Sequence, residues 1–558
     1  MNDELNRSAT KLELEGHKPP YYLSYTVHDT ETFHVSSLFG AITDVTNNHA
    51  RDLEVTTRVG DYHLDSNFSH SDGFGDFGRL FGMRDNSGRM PLDDDYDSLR
   101  HMLWLRTDST YKSALKQYES AKAYLERNIV KDLPDSFSKA EPTTVCEPLA
   151  KLDVDKDKWT SLVRQLSLTF RQYPDIHQGL ASFSGAVMDR WFVNNEGCRD
   201  RVPDTGYTLS ISADTDAEDG MHLFDQESVP ALSAGELPDD AALNKLAKTV
   251  ADRLVQLRKA PVVEDYLGPI IFEGQSSADF FNAVLTPHLV EKRHTQFLNS
   301  NQSEHLGQHL LPNFISVVDD PTATEFKGQH LLDSYAVDDE GVKAQRVSLV
   351  EKGFLKTFCM TRTPNKLVKQ SNGHCRHGAA GTSNLFINSE SKVTPAQLKE
   401  KLIQMGKDAG LKYVYIVRKL LNAPLSMDLS SIASMMSLLP NMASSSIPSP
   451  VLLYRVSVDD GKEELVRGAQ FNNINDRTLR DIEATADDDQ AYPILTNQSI
   501  KSVIAPSILI SEVEIQKSDR NTSKPPLLKN PLFETEQPAA PAAPEPAATD
   551  PHAKKKHK

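Results

Sequence analysis

The chain has 558 residues, enough for two or more domains that each bury a hydrophobic core. Its formal net charge of -17 argues against a nucleic-acid-binding role, because such proteins need basic surfaces. No segment approaches the ~18 uninterrupted apolar residues of a membrane span, and residues 1–15 contain no apolar signal-peptide core. We therefore expect a cytoplasmic protein without membrane segments; a periplasmic location is the alternative if a signal peptide has been removed.

The N-terminal half is predicted to mix helices and strands. Alternation of apolar and polar residues indicates strands, and apolar residues that recur near a period of 3.6 indicate helices. Strands are predicted at residues 18–29, 52–60, 183–194 and 207–213, helices at 97–130, 159–170 and 241–259, and a loop at 73–86.

Strands dominate after a boundary at residues 265–269. They are predicted at residues 270–273, 314–319, 344–351, 413–419, 451–458 and 507–515, with helices at 278–288 and 397–410. A Ser/Met/Pro-rich loop at 426–449 and a disordered Pro/Ala-rich tail complete the chain. We therefore predict an α+β protein with a mixed α/β N-terminal domain (1–265), a β-rich C-terminal domain (266–520) and a tail (521–558).

None of the 18 histidines is followed by glutamate, so the zinc-hydrolase pattern H-E-x-x-H and its one-residue-longer variant are absent. Zinc hydrolysis needs fixed ligands and a carboxylate that deprotonates the bound water. The most similar segment is His305 to His309, which has the histidine spacing of H-E-x-x-H. Leu306 stands at the position of the glutamate base, and Gly307 disfavours a helix. A surface loop is the better interpretation of this pair.

Two other histidine groups are candidates for a cleft or for substrate binding. The first is residues 372–378, where His374, Cys375 and His377 stand among glycines and could bind a metal. The second is residues 288–294, where His288 and His294 flank a glutamate that could act in acid–base chemistry. The alternatives are a Gly-rich connection with incidental histidines and a solvated helix face, respectively.

Other catalytic motifs are missing or weak. The sequence contains neither a G-x-S-x-G elbow nor a P-loop. Residues 73–78 have G-x-G-x-x-G spacing but do not follow a βαβ-type strand, so they predict no dinucleotide site. The four cysteines form no C-x-x-C pair, and we expect no disulfide framework.

Several stretches, taken in order, resemble the TldD/PmbA family, once called modulators of DNA gyrase and now regarded as metallopeptidases. They cover about residues 20–515, and the longest runs over 317–356 with Val318-Asp319-Asp320-Pro321 and Val337 to Val342. The others are 59–65, 189–197 (DRWFVNNEG), 268–281 (GPIIFEGQSSADFF), 371–374, 466–469 and 506–513.

The resemblance implies where the metal ligands of catalytic members would lie. Those members carry an H-E-x-x-x-H helix and a downstream cysteine ligand. Here Asn282, Ala283, Val284 and Leu285 stand near the first histidine and glutamate, Pro287 interrupts the second half, and no cysteine lies near Gly461. The chain therefore looks like the metal-free TldE (PmbA) type, with no catalytic residue, no metal ligand and no cofactor.

The resemblance further implies a non-catalytic subunit of a TldD-type metallopeptidase complex. Such a subunit forms a homodimer, or a heterodimer with a TldD-like homologue, around a cleft that takes extended unfolded peptides by edge-strand addition. One alternative is an active peptidase with a rebuilt, non-standard zinc site at His374, Cys375 and His377. A second is a stand-alone peptide-binding or scaffold protein.

Overall fold

The computed structural model describes residues 1–68, 87–128, 133–291, 306–421, 447–496, 499–518, 528 and 530–533. The predicted loops at 73–86 and 426–449, His294, His305 and most of the tail fall wholly or largely outside these residues. Within the described ranges, none of the helices has the length and hydrophobicity needed to cross a bilayer.

A seven-stranded sheet organises the N-terminal part. Its order is β3-β2-β1-β5-β6-β4, and β7 also pairs with β6. The strands are β1 (Tyr22–Leu38), β2 (Ala41–Arg58), β3 (Ser87–Arg89), β4 (Thr144–Cys146), β5 (Gln178–Asn194), β6 (Arg199–Asp216) and β7 (His222–Ala231).

Within the described residues, four helices accompany this sheet: α1 (Asn2–Lys11), α2 (Tyr96–Arg127), α3 (Lys156–Leu168) and α4 (Asp240–Lys259). The last three begin at an aspartate whose side chain accepts a hydrogen bond from a backbone amide of the first turn, which satisfies an otherwise unpaired donor. Apolar faces of α3 and α4 form one hydrophobic core with residues of β1, β5, β6 and β7. The predicted helices and strands of this half are therefore present, mostly with longer bounds.

The described residues of the C-terminal part contain an eight-stranded sheet, a six-stranded sheet and two separate pairs of short strands. The orders of the two larger sheets are β17-β22-β25-β8-β18-β19-β20, with β21 pairing β25, and β13-β12-β9-β16-β24-β23. The strands are β8 (Tyr266–Phe272), β9 (Ile315–Asp319), β10 (Glu325–Phe326), β11 (Gln329–His330), β12 (Val347–Glu351), β13 (Phe354–Leu355), β14 (Cys375–Arg376), β15 (Ala379–Ala380), β16 (Leu385–Ser389), β17 (Lys392–Val393), β18 (Tyr413–Leu420), β19 (Pro450–Ser457), β20 (Glu463–Val466), β21 (Ala469–Asn472), β22 (Ile482–Ala486), β23 (Gln490–Leu495), β24 (Ile500–Ala505) and β25 (Ile508–Lys517).

The helix predicted at 278–288 is divided into three pieces. It consists of α5 (Gln275–Phe280), a π-helical turn (Phe281–Leu285) and α6 (Thr286–Leu289). Pro287 has no amide hydrogen, and its ring conflicts with the carbonyl group four residues earlier, so a regular α-helix cannot run through it. A widened turn before the proline avoids this conflict. The other helices of this part are α7 (Pro395–Asp408) and α8 (Asp476–Arg480).

The predicted α+β class is confirmed. Strands of the first sheet lie between residues 22 and 231, and those of the other sheets between 266 and 517. The domain boundary at residue 265 stays a prediction, because the two parts share contacts such as the backbone bridge of Val262 to Arg467.

Candidate functional site

A cleft of about 1050 Å³ lies between the seven-stranded sheet, α2 and loops of the C-terminal part. Even-numbered residues of β1, from Ser24 to Thr30, line one wall with the corresponding residues of β2. Odd-numbered neighbours such as Tyr25 and Val27 are buried on the opposite face. The alternation of a β-strand therefore presents hydroxyl, imidazole and carboxylate groups to the cleft.

Helix α2 supplies a second polar wall. Ser109, Ser113 and Gln117 line the cleft and recur every four residues, so they share one face of the helix. Thr110 also lines the cleft, and its hydroxyl is 2.9 Å from that of Thr57 on β2. Donors and acceptors thus surround the cleft on the side of the N-terminal part.

Arg376 connects the opposite wall to the sheet. Its Nη2 donates to Asp204 of β6 at 3.0 Å and lies 3.5 Å from Asp333, and its Nη1 donates to Asp339 at 3.3 Å. The guanidinium group also stacks on Tyr335, 4.8 Å from the ring centre. Burial raises the pKa of Asp333 to about 7, although the Arg376 charge opposes this rise. The C-terminal wall of the cleft is therefore a mixed network of acidic and basic groups.

Asp338 shapes the loop that forms this wall. Its carboxylate is fully buried and accepts hydrogen bonds from the amides of Glu340, Val342 and Cys375 at 2.8–3.0 Å. Burial and the nearby Glu340 charge raise the pKa of Asp338 to about 7. Asp338 thereby joins the loop to the hairpin β14–β15.

The Gly-rich segment predicted at 372–378 forms this hairpin. Its two turn residues, His377 and Gly378, both have positive φ angles (52° and 77°), as in the tight turns that match strand twist. Both residues line the cleft, and the His377 amide donates to Asp339 at 2.6 Å. The turn therefore places an exposed imidazole at the cleft wall.

His374 lies beneath this wall, fully buried. Its Nε2 is 3.0 Å from the Asp319 carboxylate, and its Nδ1 is 2.9 Å from the Asn372 carbonyl oxygen. Burial lowers the pKa of His374, but the hydrogen bond and charge of Asp319, with the Asn372 carbonyl and the Asp338 charge, together raise it above its usual value. The Cys359 thiol completes a group of three potential ligands whose atoms lie within 4.8 Å of one another. Sequence reasoning missed Asp319 and Cys359, which no spacing rule links to His374.

Of the remaining histidine candidates, the structure describes His288. His288 is half-buried in α6 and is not among the residues that line the cleft. His294 lies outside the described residues. Glu291, the proposed acid–base partner, accepts a hydrogen bond from the Asn365 amide at 2.8 Å. The structure therefore brings His374 and His377 to the cleft region and does not place His288 there.

The positions where the resemblance places the first histidine and glutamate of a zinc-binding helix lie in a buried apolar segment. Phe280, Phe281, Val284 and Leu285 are buried there in the main core of the C-terminal part. Aromatic and aliphatic side chains offer no electron pairs to a metal ion. A zinc ion of the kind that H-E-x-x-x-H binds therefore does not fit this segment.

Comparisons with known proteins agree with the resemblance. Residues 264–439 match the model of the PmbA/TldA metallopeptidase C-terminal domain. The chain is 25% identical over 292 residues to a metalloprotease PmbA homolog of Haemophilus influenzae. The chain is thus similar to proteins of the TldD/PmbA family. A metalloprotease of Methanothermobacter thermautotrophicus is 26% identical over 216 residues. These matches cover 50% and 38% of the chain and only 60% and 45% of the two relatives, respectively.

Solved structures described as TldE or as modulators of DNA gyrase share the fold of this chain. TldE from Thermococcus kodakarensis has a TM-score of 0.56 at 14% identity, with 89% of this chain and 97% of that chain covered. A proposed modulator of DNA gyrase from Bacteroides thetaiotaomicron has a TM-score of 0.59 at 13% identity, covering 92% and 98%. A similar Thermotoga maritima protein has a TM-score of 0.57 at 14% identity, covering 88% and 96%. At these identities the likeness concerns the fold alone.

Gly373, next to His374, offers a test of the local packing. Its φ of +75° is unfavourable for other residues, and an added Cβ would lie 2.3 Å from the Lys343 carbonyl oxygen. We expect Gly373→Ala to lower the free energy of unfolding by about 1–3 kcal/mol, measured by urea denaturation. Gly381→Ala is the control, since a Cβ there meets no atom within 4 Å. Equal stability of the two variants would contradict this packing.

Proposed function

We propose that this chain is a non-catalytic, TldE-like subunit of a TldD-type metallopeptidase complex that processes unfolded peptides. In such a complex a homologous TldD-like chain carries the metal and performs hydrolysis. This chain shapes the cleft and holds the peptide.

One observation carries the proposal: core side chains occupy the segment in which catalytic members are expected to bind zinc. Four apolar residues between 280 and 285 are packed there, so restoring ligands would require polar groups within a buried core. Burying a polar group without a partner costs several kcal/mol at most sites. The segment therefore supports the fold at the expense of metal binding.

The cleft supports the assignment of peptide binding. Hydroxyl groups of β1 and α2 can donate to and accept from the backbone of an extended peptide whatever its side chains are. The Arg376 network adds charged groups on the opposite wall. The cleft therefore suits peptides of many sequences.

Co-expression with a TldD-like homologue from the same genome tests the proposal. We expect the two chains to co-purify and to cleave a fluorogenic unfolded peptide, whereas the present chain alone shows no cleavage above background. A TldD-like partner with its H-E-x-x-x-H glutamate changed to glutamine is the matched control and should retain the complex without activity. Cleavage by the present chain alone would overturn the proposal. Failure of the two chains to associate would favour a stand-alone binding protein.

An active peptidase with a rebuilt zinc site is the second candidate, and the buried Asp319, Cys359 and His374 group favours it. However, all three side chains are 0% exposed. A catalytic zinc ion needs an open position that water and substrate can reach. Because this group is closed, we propose no hydrolytic role for it.

A further inference from the structure

We propose that Asp319, Cys359 and His374 form a fully buried three-ligand binding site for one zinc ion, with a structural rather than a catalytic role. The three residues are 40 and 15 positions apart in sequence and meet only in the folded chain. The proposal concerns the isolated chain, so it stands or fails independently of the partner-subunit function.

The donor set suits zinc. One thiolate, one imidazole and one carboxylate are ligands that zinc accepts at about 2.0–2.3 Å, so tetrahedral ligand atoms lie about 3.6 Å apart. Asp319 Oδ2 and His374 Nε2 are 3.0 Å apart and form a hydrogen bond that a zinc ion would replace. The ligand atoms of all three residues lie within 4.8 Å of one another.

Asn372 holds two of the three ligands from outside. Its side-chain amide donates to the Phe358 carbonyl and accepts from the Met360 amide, both at 2.8 Å. These two bonds fix the backbone on both sides of Cys359. Its backbone carbonyl lies 2.9 Å from His374 Nδ1. A hydrogen bond at Nδ1 leaves Nε2 to carry the electron pair for a metal ion.

Ser383 orients the third ligand. Its amide donates to both oxygens of Asp319 at 3.0 Å, and its hydroxyl donates to Oδ2 at 2.7 Å. Metal-binding carboxylates are commonly held by such outer partners. Each of the three ligands therefore has a defined position before any metal binds.

The charges of the zinc ion and its three ligands would cancel, which favours a buried site. A zinc ion with one carboxylate, one thiolate and one neutral imidazole carries no net charge, which limits the cost of desolvation. Lys501 is buried nearby, where it interacts electrostatically with Asp319, Cys359 and Asp333. Its amino group donates to Thr382 at 2.8 Å.

The position of the group suggests what zinc would do. Asp319 ends β9, and His374 immediately precedes the hairpin β14–β15, whose residues line the cleft. An ion bound here would connect the central strand of the six-stranded sheet to the wall of the cleft. Zinc would thus stabilise the cleft wall without contacting a peptide.

Metal analysis of the full chain tests the proposal. The chain is produced in zinc-supplemented medium and, in parallel, refolded from denaturant with Co²⁺, because a buried site fills most readily during folding. We expect about one zinc ion per chain and, with cobalt, the near-ultraviolet charge-transfer band of a cobalt–thiolate bond. Zinc should also raise the midpoint of thermal unfolding relative to the metal-free chain.

Two ligand variants and one control complete the experiment. Cys359→Ser should lose the thiolate band, and His374→Gln should reduce the metal content about tenfold or more. Cys198→Ser is the matched control, since Cys198 is buried outside the group and should keep both signals. Metal below about a tenth of an equivalent in both wild-type preparations would overturn the proposal, as would a thiolate band that persists in folded Cys359→Ser. The wild-type result decides the question even if a ligand variant does not fold.

Discussion

Arg362→Ala is expected to lower the free energy of unfolding by about 3–5 kcal/mol, the cost of removing one partner of a buried ion pair. Arg362 is 0% exposed, and its Nη1 lies 2.6 Å from Glu196. Its Nε and Nη2 donate to the Ser138 carbonyl oxygen at 3.0 and 2.6 Å. The guanidinium group also lies 4.1 Å from the ring centre of Phe137.

These contacts join the two parts of the chain, because Arg362 follows β13 whereas Glu196 and Ser138 belong to the N-terminal part. Without the arginine, the Glu196 carboxylate keeps a hydrogen bond from Tyr62 but loses its buried counter-charge. Equilibrium urea unfolding, followed by circular dichroism, measures the effect. Cooperativity between the two parts should also fall, so a second unfolding transition is expected in Arg362→Ala.

Two further variants separate the causes of this effect. Arg362→Lys keeps the charge but cannot donate two hydrogen bonds to the Ser138 carbonyl. Its free energy of unfolding should therefore lie between those of the wild type and Arg362→Ala. Arg346→Ala is the control: that side chain is 62% exposed and lies 3.6 Å from Asp320, a pair that contributes about 0–1 kcal/mol. If Arg362→Ala lowers the free energy of unfolding no more than the control does, the contacts of Arg362 with Glu196 and Ser138 do not stabilise the fold as expected.

The helices and the apolar strands could be predicted from the sequence, whereas the polar strands could not. Residues 97–130 and 241–259 have the apolar periodicity of a helix, so α2 and α4 were both predicted. The first half of β2 (Ala41–Arg58) was missed because most of its side chains are exposed and polar. Pairing with β1, from Ala41 opposite Leu38 onward, forms this part of the strand, and no local pattern reveals such pairing.

The candidate site was only partly predictable for a similar reason. The histidines and glycines at 372–378 marked the segment, but its folded form depends on distant partners. Cys359, not the adjacent Cys375, is the thiol beside His374, because Asn372 binds the backbone on both sides of Cys359. Asp319 joins the group through the pairing of β9 with β16, which places Ser383 against its carboxylate. Such contacts between distant residues depend on sheet topology and not on sequence spacing.

Thr26→Trp is expected to reduce peptide binding by the proposed complex at least tenfold, which corresponds to about 1.4 kcal/mol. Thr26 is half-buried in the first half of β1, where it pairs with Glu54 and Phe192 and lines the cleft. A tryptophan there projects into the space that the peptide backbone would occupy. Aromatic residues are well tolerated in strands, so the sheet itself should keep its stability.

Thr32→Trp is the matched control for this prediction. Thr32 lies on the same strand and the same face, six residues further along, but does not line the cleft. Fluorescence anisotropy of a labelled unfolded peptide, titrated with each purified complex, gives the affinities. Binding should be unchanged in Thr32→Trp and weakened in Thr26→Trp, with similar unfolding midpoints for both. If both complexes bind peptide as wild type does, the peptide does not enter between β1 and α2, and the cleft must be assigned another role.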